Sequence, residues 1–178
     1  LNLSRQIKKL DIFFRYAPNV DLWNSSKGWK RIVPNINKEI LISVCLLSLK
    51  ESIIYFLKKN KLEITLHLIS DNSNSAFDEK ILKLIKSDIF NVKLHASKIP
   101  GNRGSYLECC DQAENAEDLI FFIDDEYLLQ KNCLEEMLIT YSRISSILKD
   151  DIIQCPSDYS FFYDSLYKTS LFVGKEYR

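Results

Sequence analysis

The stretch from Asp118 to Met137 constrains this chain most: Asp-Leu-Ile-Phe-Phe-Ile-Asp-Asp-Glu-Tyr-Leu-Leu-Gln-Lys-Asn-Cys-Leu-Glu-Glu-Met. Its apolar run, Leu119 to Ile123, is short, β-branched and aromatic, as a strand buried on both faces should be. The run stops at three consecutive acids, Asp124, Asp125 and Glu126, and a helical pattern follows within a few residues. Carboxylates at the C-terminal end of a buried strand lie where open α/β sheets bind ligands. Adjacent carboxylates repel one another unless a cation or a proton sits among them. The stretch therefore predicts a divalent metal, Mn²⁺ or Mg²⁺, and a phosphate for that metal to hold.

The rest of the chain alternates in the same manner. Leu3, Ile7, Leu10 and Phe14 stand at helical spacing with basic residues between them, which predicts a surface helix over Leu1 to Tyr16. Such a basic amphipathic helix could also rest on an anionic membrane surface. Ala17 to Asn37 holds two prolines and both tryptophans and reads as an irregular arm, so residues 1–39 are expected to form an N-terminal arm packed on the domain. Glu39 to Leu47 reads as the first strong strand, with a helix over Glu51 to Asn60. Leu62 to Ile69 reads as a strand that ends at Ser70-Asp71-Asn72-Ser73-Asn74. Ser75 and Asp78 form a capping-box pattern before a helical stripe of Phe77, Ile81, Leu84 and Ile85. A weaker strand spans Asn91 to His95, and a second capping box, Ser105 with Glu108, opens a helix to about Asn115. After the acid-tipped strand, Asn132 and Glu135 cap a helix that carries Leu134, Leu138, Tyr141 and Leu148, and Ile152 to Cys155 reads as a further strand.

Strict alternation of strand and helix predicts an α/β, three-layer α/β/α fold with a mainly parallel sheet and helices on both faces. The chain has 178 residues, 46% of them hydrophobic, enough for one domain with a buried core. Its 24 basic and 24 acidic side chains balance, so no nucleic-acid partner is expected. No uninterrupted apolar run approaches a membrane span of about 20 residues, and the polar, basic start shows no signal peptide. The five cysteines are scattered with no C-x-x-C and read as reduced, small hydrophobes. A cytoplasmic location follows, at the inner face of the membrane if the N-terminal helix docks there.

Strand C-termini would gather Ser48, Asp71, Asn72, the Pro100-Gly101-Asn102-Arg103-Gly104 loop and the acidic triplet along one edge. Asp71 there can accept hydrogen bonds from a base or ribose, or serve the turn itself. The Gly101 to Gly104 loop can hold a phosphate as it enters a helix, or act as an ordinary connector. Receiver domains, and phosphatases with a nucleophilic aspartate, place their acids at the end of the first strand. Leu47-Ser48-Leu49-Lys50, taken as that end, carries no acid.

Four segments together resemble the GT-A glycosyltransferases, the nucleotide-diphospho-sugar transferases, in particular their family-2-like group. Ile42 to Ser48 resembles the family's first strand, with Leu47-Ser48 in place of Pro-Thr. Ser70-Asp71-Asn72-Ser73 resembles its nucleoside-binding Asp-Asn-Gly-Ser turn. Gly101-Asn102-Arg103-Gly104 resembles its Asn-x-Gly loop, and Asp124-Asp125-Glu126 resembles the metal- and nucleotide-binding D-x-D segment.

The resemblance covers residues 40–137. It implies a nucleotide-sugar-binding core over 40–178 that lacks part of the acceptor half. It further implies metal-assisted, inverting, hexosyltransferase-like transfer from a nucleoside-diphosphate sugar to the hydroxyl of a saccharide or other acceptor. Ser48, Asp71, Asn72, Asn102, Arg103, Gly104, Asp124 and Asp125 would hold the donor, and Asp124, Asp125 and Glu126 the metal. Asp158 is the one downstream acid in a motif-like setting for the general base. A homodimer could supply the missing wall. Two other readings stay open: a nucleotidyltransferase, which would want glycines after its first strand, and a catalytically silent nucleotide-sugar-binding domain.

Overall fold

Strand alternation, rather than helical spacing, governs the first segment seen in the computed structural model, which describes residues 5–19 and 37–155. Leu10, Ile12, Phe14 and Tyr16 point to one side of β1 (Lys9–Tyr16) and are almost fully buried. Asp11, Phe13 and Arg15 point to the other side, as the two-residue period requires. Within the stretch expected as an amphipathic helix, Leu1 to Tyr16, Lys9–Tyr16 is thus a central strand. Over these residues the arm assigned to 1–39 belongs to the sheet, and the surface helix on which a membrane contact rested does not form.

The segment expected as the first strand is helical. Helix α1 (Lys38–Leu57) buries Ile42, Cys45, Leu46, Leu49, Ile53 and Phe56 at three- and four-residue spacing. Asn37 caps it by accepting a hydrogen bond from the Glu39 amide at 2.7 Å. Ile40, Val44 and Leu47 are apolar on the opposite face and exposed, so the helical period is hidden in the sequence. By length and composition alone α1 is also apolar enough to cross a membrane, though much of it packs on the sheet.

The remaining elements follow the sequence closely: β2 (Glu63–Ser70), α2 (Ser75–Ile85), β3 (Asn91–Ala96), α3 (Asn102–Ala113), β4 (Leu119–Asp124) and α4 (Cys133–Leu148). Their caps differ from expectation. Asn74, not Ser75, caps α2 by accepting from the Phe77 amide at 2.9 Å. Asp78 instead accepts from the hydroxyls of Tyr16 and Ser70. Helix α3 starts at Asn102, before the expected capping box, and the Ser105 hydroxyl bonds back to the Gly101 carbonyl. Neither α3 nor α4 has a side-chain N-cap hydrogen bond. Ile152 to Cys155 has no regular structure.

The four strands form one parallel sheet in the order β3-β2-β1-β4. Helices α1, α2 and α4 bury their apolar stripes with the Leu10–Tyr16 side of the sheet. Helix α3 lies on the opposite side, where Cys109 packs with Phe13 and Ile69. The molecule is therefore an α/β fold with helices on both faces of an all-parallel sheet. Cys45, Cys109, Cys110 and Cys133 are free thiols. Burial raises Cys45 to about 11 and Cys109 to about 12, so both are packing groups rather than nucleophiles.

The α3 side carries a buried polar row. His67 Nε2 lies 2.9 Å from Asp11 Oδ1, and His67 Nδ1 lies 3.1 Å from His95 Nε2. A carboxylate only accepts, so His67 donates to Asp11 and must accept from His95. Phe13 stacks on the His67 ring at 4.4 Å. Burial lowers the pKa of His67 below its ordinary 6.5, against the pull of Asp11. Burial, then the positive charge His67 can carry, lowers His95 as well. Both folded-state values thus lie below the unfolded one, so the unfolded chain takes up protons first on acidification. The stability from this row should be complete above about pH 6.5 and decline as pH falls through the two lowered values. Urea midpoints measured from neutral to mildly acidic pH should show that decline, and His95→Gln should flatten it.

Candidate functional site

The order β3-β2-β1-β4 fixes where a ligand can sit. The chain steps from β1 to β2 to β3 with its helices on one face, then returns to the far side of β1 through α3 on the other face. The C-terminal ends of β1 and β4 therefore flank a topological switch point, where open α/β sheets leave a crevice. Arg15 and Asp124 stand opposite each other in register there. Asp71 follows β2 at the same edge, two strand spacings or roughly 10 Å across. The expectation that Asp71 and Asp124 share an edge holds.

Arg15 organises the crevice. Its Nε donates to Asp124 Oδ1 at 2.8 Å. Its Nη1 donates to the Asn102 carbonyl at 2.9 Å and to Asn102 Oδ1 at 2.6 Å. Burial works against the charged guanidinium, but the Asp124 hydrogen bond and the charges of Asp124 and Asp125 hold its pKa above the ordinary value. Asp71 completes the path from the other side: it is buried, and its Oδ1 accepts from the Gly101 amide at 2.9 Å. One hydrogen-bonded path thus joins Asp71, the Gly101-Asn102 turn, Arg15 and Asp124.

The turn has the geometry that glycine supplies. Gly101 adopts φ +94°, which L side chains avoid, and the space around its missing Cβ is open. Gly104 is needed for a different reason: a Cβ there would sit 1.9 Å from the Ile99 carbonyl oxygen. Arg103 is exposed in the first turn of α3, and Asn72 adopts φ 50°. The Asn72 carbonyl accepts from Asn19 Nδ2 at 2.7 Å. Beyond Arg15 a groove of about 1020 Å³ runs along β4, with Phe13, Tyr106, Phe122, Asp124 and Leu128 among its walls.

The acids do not act together. Asp124 faces Arg15, whereas Asp125 turns to the opposite side and is buried. Asp125 Oδ1 accepts from Lys38 Nζ at 2.6 Å, and its Oδ2 accepts from the Ala17 amide at 3.0 Å. Glu126 is exposed. The residues present thus do not fit the divalent metal that the acidic triplet implies. Both oxygens of Asp125 and one of Asp124 already bind protein donors, and the two side chains diverge.

Ser48 does not belong to this edge. It lies within α1, donates to the Cys45 carbonyl at 2.7 Å and accepts from the Leu129 amide at 3.0 Å, so it ties the helix to the segment after the acids. The resemblance of Ile42 to Ser48 to a first strand falls with it. Among the described residues the first strand is β1, which is followed by Ala17-Pro18-Asn19, so its described end carries no acid and no glycine. Asp158 lies outside the described residues. Arg15 and Lys38 are missing from the sequence reading because their elements were assigned the wrong period. Each shows a usable signal once the period is corrected, as a cation at the end of a strand and a cation at the start of a helix.

No family model matches this sequence, and a search of curated proteins finds no match either.

Three substitutions at two positions test the local geometry. Asp71→Ala leaves the Gly101 amide without its acceptor and should cost about 1–3 kcal/mol, whereas Asp71→Asn keeps an acceptor oxygen and should cost less. Gly104→Ala forces the Ile99 carbonyl aside and should cost about 1–3 kcal/mol or more. Urea titrations of the three variants against the parent measure both.

Proposed function

We propose that the crevice between β1, β2 and β4 binds a nucleoside-diphosphate sugar, and that the chain is the donor-binding part of a GT-A-type glycosyltransferase. The observation that carries this reading is the single hydrogen-bonded path from Asp71 through Gly101-Asn102 and Arg15 to Asp124. It brings three segments that resemble donor-binding motifs to one switch point, although they are far apart in sequence.

In this reading the Asp71-Asn72 turn receives the nucleoside. The Asn102-Arg103-Gly104 turn, opening a helix, receives the diphosphate, whose charge the free amides and guanidinium groups oppose. The sugar then points toward the groove along β4, where aromatic walls suit a sugar ring. Transfer to an acceptor hydroxyl needs a carboxylate to take the proton. Asp158 remains the candidate from sequence, and Glu126, exposed just past the end of β4, is a second.

A catalytically silent nucleotide-sugar-binding domain is the second reading. The engagement of Asp124 and Asp125 by protein cations favours it, because such acids are held rather than poised for chemistry.

Thermal melts with a panel of nucleoside diphosphates test the binding claim. A nucleotide present at one hundred times its Kd should add about 2.7 kcal/mol of stability. Asp71→Asn, which keeps the turn, should weaken that nucleotide. No stabilisation by any diphosphate would remove the donor-site reading. Sugar release from the bound donor distinguishes the enzyme from the silent domain.

A further inference from the structure

We propose that the acidic end of β4 is not a metal site: Arg15 and Lys38 take the place a divalent cation would fill beside its carboxylates, and Arg15 faces a diphosphate bound in the crevice. The inference deepens the nucleotide reading, and its binding arm rests on that reading. Three adjacent acids call for positive charge. Here the chain supplies it from two directions.

Arg15 holds Asp124 from β1 at 2.8 Å, on the α3 side of the sheet. Lys38 holds Asp125 from the first turn of α1 at 2.6 Å, on the opposite side. Both bases are mostly shielded from solvent, with side chains 18% and 10% exposed; the Lys38–Asp125 pair is buried on both sides and little screened by salt, whereas Asp124 keeps a face to solvent. A divalent ion that recruited both carboxylates would have to break two ion pairs. It would also have to turn two diverging side chains toward one point and leave a guanidinium and an ammonium close to a dication. Each of those steps opposes metal binding. A diphosphate meets the opposite situation, because the Arg15 guanidinium, held between Asp124 and Asn102 at the crevice, offers it positive charge without displacing any ion.

The test uses the full 178-residue chain and Mn²⁺ alone as the first probe. Electron paramagnetic resonance of free Mn²⁺ is followed as parent, Arg15→Gln and Lys38→Gln are titrated. The parent should show no stoichiometric uptake. At least one variant, losing a cation beside a carboxylate, should gain Mn²⁺ affinity by about tenfold or more. Adding Asp124→Asn to Arg15→Gln, or Asp125→Asn to Lys38→Gln, should erase that gain. The two bases sit on separate elements, so one variant decides if the other does not fold, and thermal melts establish which are folded.

The second probe is UDP or GDP, whose thermal stabilisation of the parent should be equal in Mn²⁺ and in EDTA. Stoichiometric uptake by the parent that Asp124→Asn or Asp125→Asn abolishes would overturn the proposal. So would a failure of every folded variant to gain affinity. Stabilisation by nucleotide only with Mn²⁺ would overturn it too, while leaving the donor-site reading intact. Absence of stabilisation in both buffers would remove the donor-site reading, and the Mn²⁺ titration alone would still decide this inference.

Discussion

The Arg15–Asp124 pair is the interaction on which the functional end of the molecule depends. It joins the ends of two neighbouring strands, and the same guanidinium reaches across to the turn that starts α3. A half-buried cation in a sheet needs a matching anion, and a carboxylate at a strand end gains from a donor held beside it. Each residue meets the requirement of the other. The turn is fixed from its second side by Asp71, so the ends of β1, β2 and β4 and the turn before α3 are tied by one hydrogen-bonded path. Without Arg15 the Asp71–Gly101 tie would remain, but β4 would lose its link to the turn before α3.

Much of the fold is legible in the sequence where one face of an element is apolar and the other is not. Helix α2 shows a clean stripe of Phe77, Ile81 and Ile85, and β4 is a short apolar run closed by charge. The two failures share one physical cause. Strand β1 lies between neighbours on both sides and is covered on both faces, so its hidden face accepts Asp11 and Arg15 as long as they are paired. Those charges keep the two-residue period, but with Leu3, Ile7, Leu10 and Phe14 at three- and four-residue steps they also imitate the polar face of a helix. Helix α1 makes the converse error: apolar Ile40, Val44 and Leu47 on its outer face fill in the period and imitate a buried strand.

The candidate site was legible in part for the same reason. Asp71, Asn102 and Asp124 are marked by turn chemistry and by their position after clear strands, and these come together. Ser48 was misplaced because its element was. Arg15 and Lys38 could not be found while β1 was read as a helix and α1 as a strand. Charge arithmetic on the acidic triplet correctly demanded positive partners there. It could not say that they would be side chains of the chain itself.

The Asp11–His67–His95 row has a consequence beyond stability. Its N–H bonds all point one way, from the partly accessible His95 toward the buried carboxylate. A proton added at His95 can be passed inward by exchanging which nitrogen carries hydrogen, and it then rests beside a negative charge. A second proton is taken up only against that contact, because it sets two N–H groups against each other across 3.1 Å. The two rings therefore protonate in sequence rather than together, and the charge on the first lowers the second. The middle of the sheet admits its protons one at a time, each resisted by burial and the second also by the first.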